Sequence, residues 1–270
     1  MVNPYVKRWL TGLILAAVIF AVIVFCSPLV LALVISLCAV GGIWEYNHIV
    51  FGNGFLKEKI EGVIFAAIIP FIMLSNNSQL ILAVLAFCIL VTFIVFLGSV
   101  QKTDFDISTV IKVVFGCMYI PFLISHFILL RNLDKGVLWV LFVLVLAFAG
   151  DITALYVGKY FGKHKLIPLV SPGKTVEGTI GLIGGSTAAC LIFGYFSFFP
   201  DVSLVKIGVL AFVGSIIGQL GDLSESAIKR NYGLKDASSL LPGHGGLLDR
   251  MDCLIFIAPF VYYYRVYVIG

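Results

Sequence analysis

Residues 137–158 read VLWVLFVLVLAFAGDITALYVG, an apolar run of 22 residues with one carboxylate, Asp151, near its middle. The hydrocarbon core of a bilayer is about 30 Å thick, and about 20 residues of α-helix cross it. The run therefore predicts a transmembrane helix. Because an ionisable side chain is costly inside a membrane, Asp151 is a candidate functional residue and needs a cation, a hydrogen-bond donor or water beside it.

The rest of the chain has the same apolar character. Apolar residues make up 61% of the 270 residues and charged residues only 12%, with a mean hydropathy of +1.11, whereas a soluble domain carries about 25% charged residues. This composition excludes a soluble fold and predicts an all-α polytopic integral membrane protein. The predicted transmembrane helices, nine in number, cover approximately 9–26, 29–47, 60–75, 79–99, 108–130, 137–158, 177–199, 204–228 and 250–269.

The basic residues predict the orientation of these helices. If the N-terminus is cytoplasmic, fourteen of the eighteen Lys and Arg residues fall in cytoplasmic segments. Only Arg131, Lys135, Lys206 and Arg265 fall on the other side. Cytoplasmic loops of membrane proteins carry the excess of Lys and Arg, so we predict a cytoplasmic N-terminus and an outside C-terminus.

The two halves of the chain differ in charge. Residues 1–140 are apolar helices with short loops and are predicted to be a scaffold. Residues 141–270 carry most of the ionisable groups that lie close to a span. We predict that this second part is the catalytic region, with cytoplasmic loops at 159–176 and 229–249.

The first polar stretch follows Asp151 and ends in Ser171-Pro172-Gly173-Lys174-Thr175. Serine is a preferred helix N-cap and proline a preferred first helical residue, so this pattern predicts that a helix starts at Ser171. Lys174 and Thr175 would then lie in its first turn, beside free N–H groups that can bind phosphate. The alternative is that Lys174 only reaches toward the membrane surface and Ser171 is only a cap.

The second polar stretch begins at residues 221–230, GDLSESAIKR. If the eighth helix continues through it, Asp222, Ser226, Lys229 and Arg230 share one face. Such a face would hold an acid that can ligate a metal ion and two bases that can hold phosphate.

The same stretch ends at residues 241–252, LPGHGGLLDRMD, where Asp249 and Asp252 are three residues apart at the predicted start of the last helix. The glycines let backbone approach a ligand closely. Carboxylates beside bases, without a C-x-x-C pair, indicate a hard cation such as Mg²⁺ and a phosphate substrate. His244 is the candidate acid–base residue, with a hydrogen-bonding loop histidine as the alternative. An ordinary cytoplasmic loop, with Asp252 stabilised by a helix N-terminus, is the alternative for the whole stretch.

A known family carries this pattern of residues. The pattern is Ser226-x-Ile228-Lys229-Arg230, then Lys235-Asp236, then Pro242-x-His244-Gly245-Gly246-Leu247-x-Asp249-Arg250-Met251-Asp252. It resembles the signature of the phosphatidate cytidylyltransferase (CDP-diacylglycerol synthase) family, and the stretch from Asp151 to Glu177-Gly178 resembles that family too.

The resemblance implies that the phosphate of phosphatidic acid attacks the α-phosphorus of CTP, giving CDP-diacylglycerol and pyrophosphate. It implies Mg²⁺, alone or with a second cation, a homodimer, and a bacterial cell membrane with the active site on the cytoplasmic face. Membrane lipids are further expected partners, and nucleic acid is not. The residues expected at the site are Asp222, Asp249, Lys174 and His244 for catalysis, Asp222, Asp249, Asp151 and Asp252 for metal, and Ser171, Lys174, Thr175, Ser226, Lys229, Arg230, Lys235, Gly245, Gly246 and Arg250 for the nucleotide.

Two other functions remain open from the residues alone. A CTP-dependent lipid kinase of the polyprenol-kinase type would transfer the γ-phosphoryl group instead of CMP. A transporter of anionic solutes is the less favoured alternative, because transporters tend to have two related halves and this chain has dissimilar ones.

Overall fold

The computed structural model describes residues 16–99, 106–197, 202–238, 240 and 245–270. These residues are largely helical. In chain order the elements are α1 (Ala16–Phe25), α2 (Pro28–Phe51), α3 (Leu56–Met73), α4 (Ser78–Ser99), α5 (Ser108–Cys117) with a π-helical turn (Met118–Phe122), α6 (His126–Asn132), α7 (Gly136–Phe161), β1 (Lys165–Ile167), β2 (Ser171–Thr175), α8 (Val176–Phe196), α9 (Leu204–Asn231), and α10 (Leu248–Tyr264) with a π-helical turn (Arg265–Ile269).

Seven helical segments of the described residues are long and apolar enough to cross a membrane. They are Pro28–Phe51, Ser78–Gly98, Ser108–Asn132, Gly136–Phe161, Val176–Phe196, Leu204–Asn231 and Leu248–Ile269. The prediction of a helical multi-pass membrane protein is thereby confirmed. The first predicted run is described only as α1, and the third coincides with α3, whose first turns carry lysines and glutamates. The count of nine and the orientation stay predictions.

The loop after α7 forms a short hairpin where the sequence predicted the start of a helix. β1 and β2 pair antiparallel, with Lys165 opposite Thr175 and Ile167 opposite Ser171. The prediction that Ser171 caps a helix is wrong, because Thr175 is the cap and its Oγ1 accepts a hydrogen bond from Gly178 N at 3.1 Å. Proline at position 172 disfavours helical backbone at Ser171 and favours the extended conformation of a strand.

By its internal contacts the chain divides into two compact units. The first comprises Met1–Asn132 and Asp236–Asp249, and the second comprises Leu133–Lys235 and Arg250–Gly270. Whether a scaffold and a catalytic region divide at residue 140 is a question of function and stays a prediction.

In the first unit, α2 packs against α3 and α5. A Cβ added at Gly116 of α5 would lie 2.6 Å from the ring of Tyr46, so the two helices approach closely. The Tyr46 hydroxyl donates a hydrogen bond to the Lys112 carbonyl at 3.0 Å. The packing therefore buries the C-terminal half of α2, including its polar residues Glu45 and Asn47.

In the second unit, small residues bring α7, α8 and α9 together. The hydroxyl of Ser186 on α8 donates to the Leu146 carbonyl on α7 at 2.8 Å, and a Cβ at Gly150 would collide with that hydroxyl. Gly181 packs against Val157 in the same way. Small residues at such contacts are typical of membrane helices, which lack a hydrophobic driving force and associate by close backbone approach.

Candidate active site

Three carboxylates of the second unit lie near one another. Asp151 is on α7, Asp222 on α9 and Asp252 on α10, and each is close enough to the other two to interact electrostatically. A Cβ at Gly221 would lie only 2.6 Å from the backbone oxygen of Asp252, so α9 and α10 are in contact beside the cluster. The structure thus brings together three of the four acids that the sequence predicted to bind metal.

Lys174 of β2 joins the two polar stretches of the sequence. Its Nζ lies 2.5 Å from Oδ2 of Asp222, and the two side chains are 23% and 31% exposed. Lys174 also interacts electrostatically with Asp151 and Asp252, and Arg250 interacts with Asp151. The predicted phosphate-binding lysine therefore faces the acidic cluster from a strand, not from the first turn of a helix.

The described residues of this cluster include more carboxyl groups than bases. The carboxyl groups are those of Asp151, Asp222 and Asp252, and the bases that interact with them are Lys174 and Arg250. A small cavity beside Asp151 and Asp222 is also lined by Ser186, Ser215 and Gln219. Among the described side chains, the buried Nε2 of Gln219 has no hydrogen-bond partner. An excess of carboxyl groups and an amide without a partner favour a cation or a polar ligand at this cluster.

The donor atoms of the cluster fit a hard cation. Carboxylate oxygens are the ligands that Mg²⁺ prefers. In the part of the chain that the structure describes, no three Asp, Glu, His or Cys side chains form a ready-made metal site. Oδ2 of Asp222 contacts Lys174, so a metal ion bound to that oxygen would compete with the lysine.

The bases at the end of α9 lie in different surroundings. Lys229 is 8% exposed and forms an ion pair with Glu225, with 2.6 Å between Nζ and Oε2. Arg230 is exposed and donates to the carbonyl oxygens of Val170, at 3.2 Å, and Leu234, at 3.3 Å. Arg230 thus reaches the loop that joins β1 and β2.

Four other predicted nucleotide residues belong to this unit. Ser171 and Ser226 are half-buried and Lys235 is exposed, with Ser171 on β2. Thr175 caps α8, and Cβ atoms added at Gly158 and Gly162 would lie 3.2 Å and 2.9 Å from its Oγ1. Thr175 therefore has a structural role, because it caps α8 and packs closely against α7. Its contact with nucleotide stays a prediction.

Asp249, in the first turn of α10, belongs to the first unit and accepts hydrogen bonds from backbone N–H groups that precede the helix. Oδ2 of Asp249 accepts hydrogen bonds from the backbone N–H of Gly246, at 2.9 Å, and of Ala237, at 3.2 Å. Gly245 has φ +83°, a conformation that favours glycine. His244, the predicted acid–base residue, lies outside the described residues.

Glu45 of α2 is a residue that the sequence interpretation overlooked. It is 0% exposed, and its carboxylate accepts hydrogen bonds from Leu247 N at 2.8 Å, Leu248 N at 2.7 Å and Ser238 Oγ at 2.5 Å. The available signal was a lone carboxylate near the end of the apolar run 29–47, since an acid in such a run is a functional candidate by default.

These features define a class of protein. A multi-pass membrane protein that gathers carboxylates, a lysine and an arginine is suited to binding a cation and phosphate groups.

Comparison with known proteins identifies the family. The profile of the cytidylyltransferase family matches residues 6–268, and the chain belongs to that family. It is 32% identical over 267 residues to the phosphatidate cytidylyltransferase of Bacillus subtilis (strain 168), covering 95% of this chain and 96% of the relative. The phosphatidate cytidylyltransferase of Staphylococcus aureus (strain COL) is 33% identical over 258 residues, covering 93% and 95%. The predicted family is confirmed.

A third relative matches only part of this chain. The uncharacterized protein YnbB of Escherichia coli (strain K12) is 40% identical over 163 residues, covering 58% of this chain and 54% of the relative.

Proposed function

We propose that this enzyme transfers the CMP group of CTP to phosphatidic acid, giving CDP-diacylglycerol and pyrophosphate for phospholipid synthesis. A phosphate oxygen of the lipid attacks the α-phosphorus of CTP. The bond from that phosphorus to the oxygen bridging to the β-phosphorus breaks, and pyrophosphate leaves. The matches to phosphatidate cytidylyltransferases over nearly the whole chain support this reaction.

The observation that carries the proposal is the contact between Lys174 and Asp222. Each residue comes from a different polar stretch of the sequence, and Nζ and Oδ2 are 2.5 Å apart. Transfer between two phosphate compounds requires mainly alignment of the reactants and stabilisation of negative charge, not a covalent nucleophile. A lysine held at a defined position by Asp222 can align a bound phosphate and stabilise its negative charge.

The excess of carboxyl groups over bases in the cluster supports a metal requirement. Two polyanionic substrates would be repelled by Asp151, Asp222 and Asp252 alone. Mg²⁺, when bound, would neutralise triphosphate charge and polarise the α-phosphorus. We assign its binding in this unit to Asp222 with Asp151 and Asp252, while the predicted metal role of Asp249 rests on the family resemblance. A second cation is part of the same proposal.

No general base is required by this reaction. The second pKa of a phosphate monoester is about 6, so the lipid phosphate is largely ionised near neutral pH. His244 is therefore proposed to shape the loop in which it occurs and not to accept a proton. We further propose that the site faces the cytoplasm, because both basic loops must reach CTP, and that the enzyme is a homodimer, as the family resemblance implies.

The position of the transferred phosphorus distinguishes this function from its alternatives. Purified enzyme would be incubated with phosphatidic acid, Mg²⁺ and CTP labelled at either the α- or the γ-phosphorus, followed by lipid extraction. We expect label in the lipid from α-labelled CTP only. Label from γ-labelled CTP would indicate a lipid kinase. Uptake of anionic solutes into liposomes without CTP turnover would indicate a transporter, and either result would contradict the proposal.

A further inference from the structure

The carboxylate of Glu45 on α2 is hydrogen-bonded to Ser238 and to the backbone of Leu247 and Leu248, where α10 begins. We propose that Glu45 is a positioning residue for cytidylyl transfer, acting through the backbone of Gly246–Leu248 and the neighbouring Asp249. Its effect on turnover rests on the proposed function, whereas its effect on the segment does not.

The burial of Glu45 makes its hydrogen bonds decisive. The side chain is 0% exposed, and a carboxylate removed from water is costly unless it is hydrogen-bonded. Both oxygens are used, because Oε1 accepts from Leu247 N and Ser238 Oγ and Oε2 accepts from Leu248 N. The donors belong to Ser238, Leu247 and Leu248, so the hydrogen bonds of Glu45 depend on the positions of these three residues.

Glu45 also sets where α10 begins. The first N–H groups of a helix have no partner within the helix, and a negative charge is favourable at this end of the helix dipole. A residue close in sequence usually provides the acceptor, but here Glu45 lies 203 residues before Leu248. The start of α10, and with it the backbone of Asp249, is therefore fixed by α2.

Two further contacts restrict the same segment. Oδ2 of Asp249 accepts from Gly246 N at 2.9 Å, and a Cβ at Gly246 would lie 3.0 Å from Oε2 of Glu45. On α2, a Cβ at Gly41 would lie 2.5 Å from Cδ2 of Leu247. Backbone, Glu45 and Asp249 are in close contact, which leaves little room for water to replace a lost acceptor.

Glu45→Gln tests this role with almost no change in shape. One acceptor oxygen becomes an NH₂ donor that faces another donor, so the segment must shift. A lost hydrogen bond to a charged group can cost a factor of about ten or more, and we expect kcat to fall by about that factor. KM for phosphatidic acid should change less than about twofold, because the loss falls on the transition state.

Glu61→Gln is the matched control. Glu61 is also a buried carboxylate of the first unit, but its Oε1 accepts a hydrogen bond from Thr92 Oγ1 of α4, at 2.5 Å. Hydrogen–deuterium exchange of the peptide containing Leu247 and Leu248 provides a readout independent of turnover. Exchange there should rise in Glu45→Gln and not in Glu61→Gln, while kcat of the control stays near the wild-type value.

Several results would overturn the proposal. The proposal is wrong if Glu45→Gln has the wild-type kcat and the wild-type exchange rate at Leu247 and Leu248. It is also wrong if Glu45→Gln and Glu61→Gln lose equal fractions of kcat and exchange becomes faster throughout α2. If Glu45→Gln does not insert into the membrane, Ser238→Ala tests the same role, because it removes one donor to Glu45. This variant should lower kcat several-fold and speed exchange at Leu247 and Leu248. Wild-type kcat and exchange in Ser238→Ala would overturn the positioning role of Glu45. If the wild-type enzyme forms no CDP-diacylglycerol, the proposed function fails, while exchange at Leu247 and Leu248 still decides whether Glu45 holds the segment.

Discussion

Lys174→Arg is the substitution that best distinguishes a phosphate-holding lysine from one that anchors the loop at the membrane surface. Lysine and arginine are nearly equivalent as anchors, because both bring a positive charge to the lipid headgroups. They are not equivalent at a phosphate, since the planar guanidinium is bulkier and sets a different geometry from a compact ammonium. We expect Lys174→Arg to insert normally and to lose most of its activity.

The contact with Asp222 gives the size of the expected effect. The two side chains are 23% and 31% exposed, and ion pairs with that much exposure contribute about 0.2–1 kcal/mol. Even if all of that energy were lost in the transition state, turnover would slow by a factor of about five at most. Displacement of a catalytic charge by about 1 Å can cost on the order of a hundredfold. The two roles differ by a measurable factor of about twenty.

The assay is the initial rate of CMP transfer to lipid from α-labelled CTP, normalised to monodisperse protein. Lys165→Arg is the matched control, because Lys165 lies on the paired strand of the same hairpin and its Nζ donates to the Pro172 carbonyl at 2.7 Å. The control should retain the wild-type rate, and Lys174→Ala should lose more activity than Lys174→Arg. If Lys174→Arg runs within about fivefold of wild type, Lys174 is an anchor or a distant counter-charge.

Three further predictions follow from the second unit. Asp222→Asn should abolish turnover without preventing insertion, and EDTA should stop the wild-type enzyme until Mg²⁺ is restored; near-normal activity of the variant at saturating Mg²⁺ would remove Asp222 from the metal site. Cysteines introduced at His164 and Asn231 should be labelled by a membrane-impermeant reagent from the same, cytoplasmic side, and labelling from opposite sides would refute the orientation. Gly221→Ala should destabilise the protein by about 1–3 kcal/mol through overpacking, because the new Cβ would lie 2.6 Å from a backbone oxygen of α10. Gly184→Ala, whose Cβ meets nothing within 4 Å, should be neutral or slightly stabilising in a thermal unfolding assay.

The helical architecture was predictable because the backbone has no water to hydrogen-bond with inside the lipid bilayer. Every N–H and C=O inside the bilayer must be satisfied within the segment, so long apolar runs become helices. The cluster around Asp222 was predictable for a related reason. A carboxylate in an apolar run requires a partner, and the partner of Asp222 is Lys174, which the sequence had already assigned to the same site.

The local error at the start of α8 arose where two short patterns competed. The sequence allows a helix to start at Ser171-Pro172 or at Thr175. Because Ser171 pairs with Ile167 in the hairpin, the helix starts after Thr175. Lys229 shows the same competition. Its spacing from Asp222 predicts a shared phosphate-binding face, while Glu225 lies four residues before it, which is the favourable order for a helical ion pair. The structure buries that pair, and contact of Lys229 with nucleotide stays a prediction.

Glu45 shows why the apolar half of the chain is not inert. The sequence establishes that a carboxylate within α2 needs hydrogen-bond donors, but the donors lie about two hundred residues away in Ser238, Leu247 and Leu248, and no local pattern connects them. Residues 236–249 belong by their contacts to the same unit as α2, although the sequence places them in the cytoplasmic loop 229–249 of the predicted catalytic region. The segment that carries Asp249 therefore takes its position from a helix predicted to be scaffold. A substitution in α2 that spares insertion should then change turnover, which a passive scaffold would not allow.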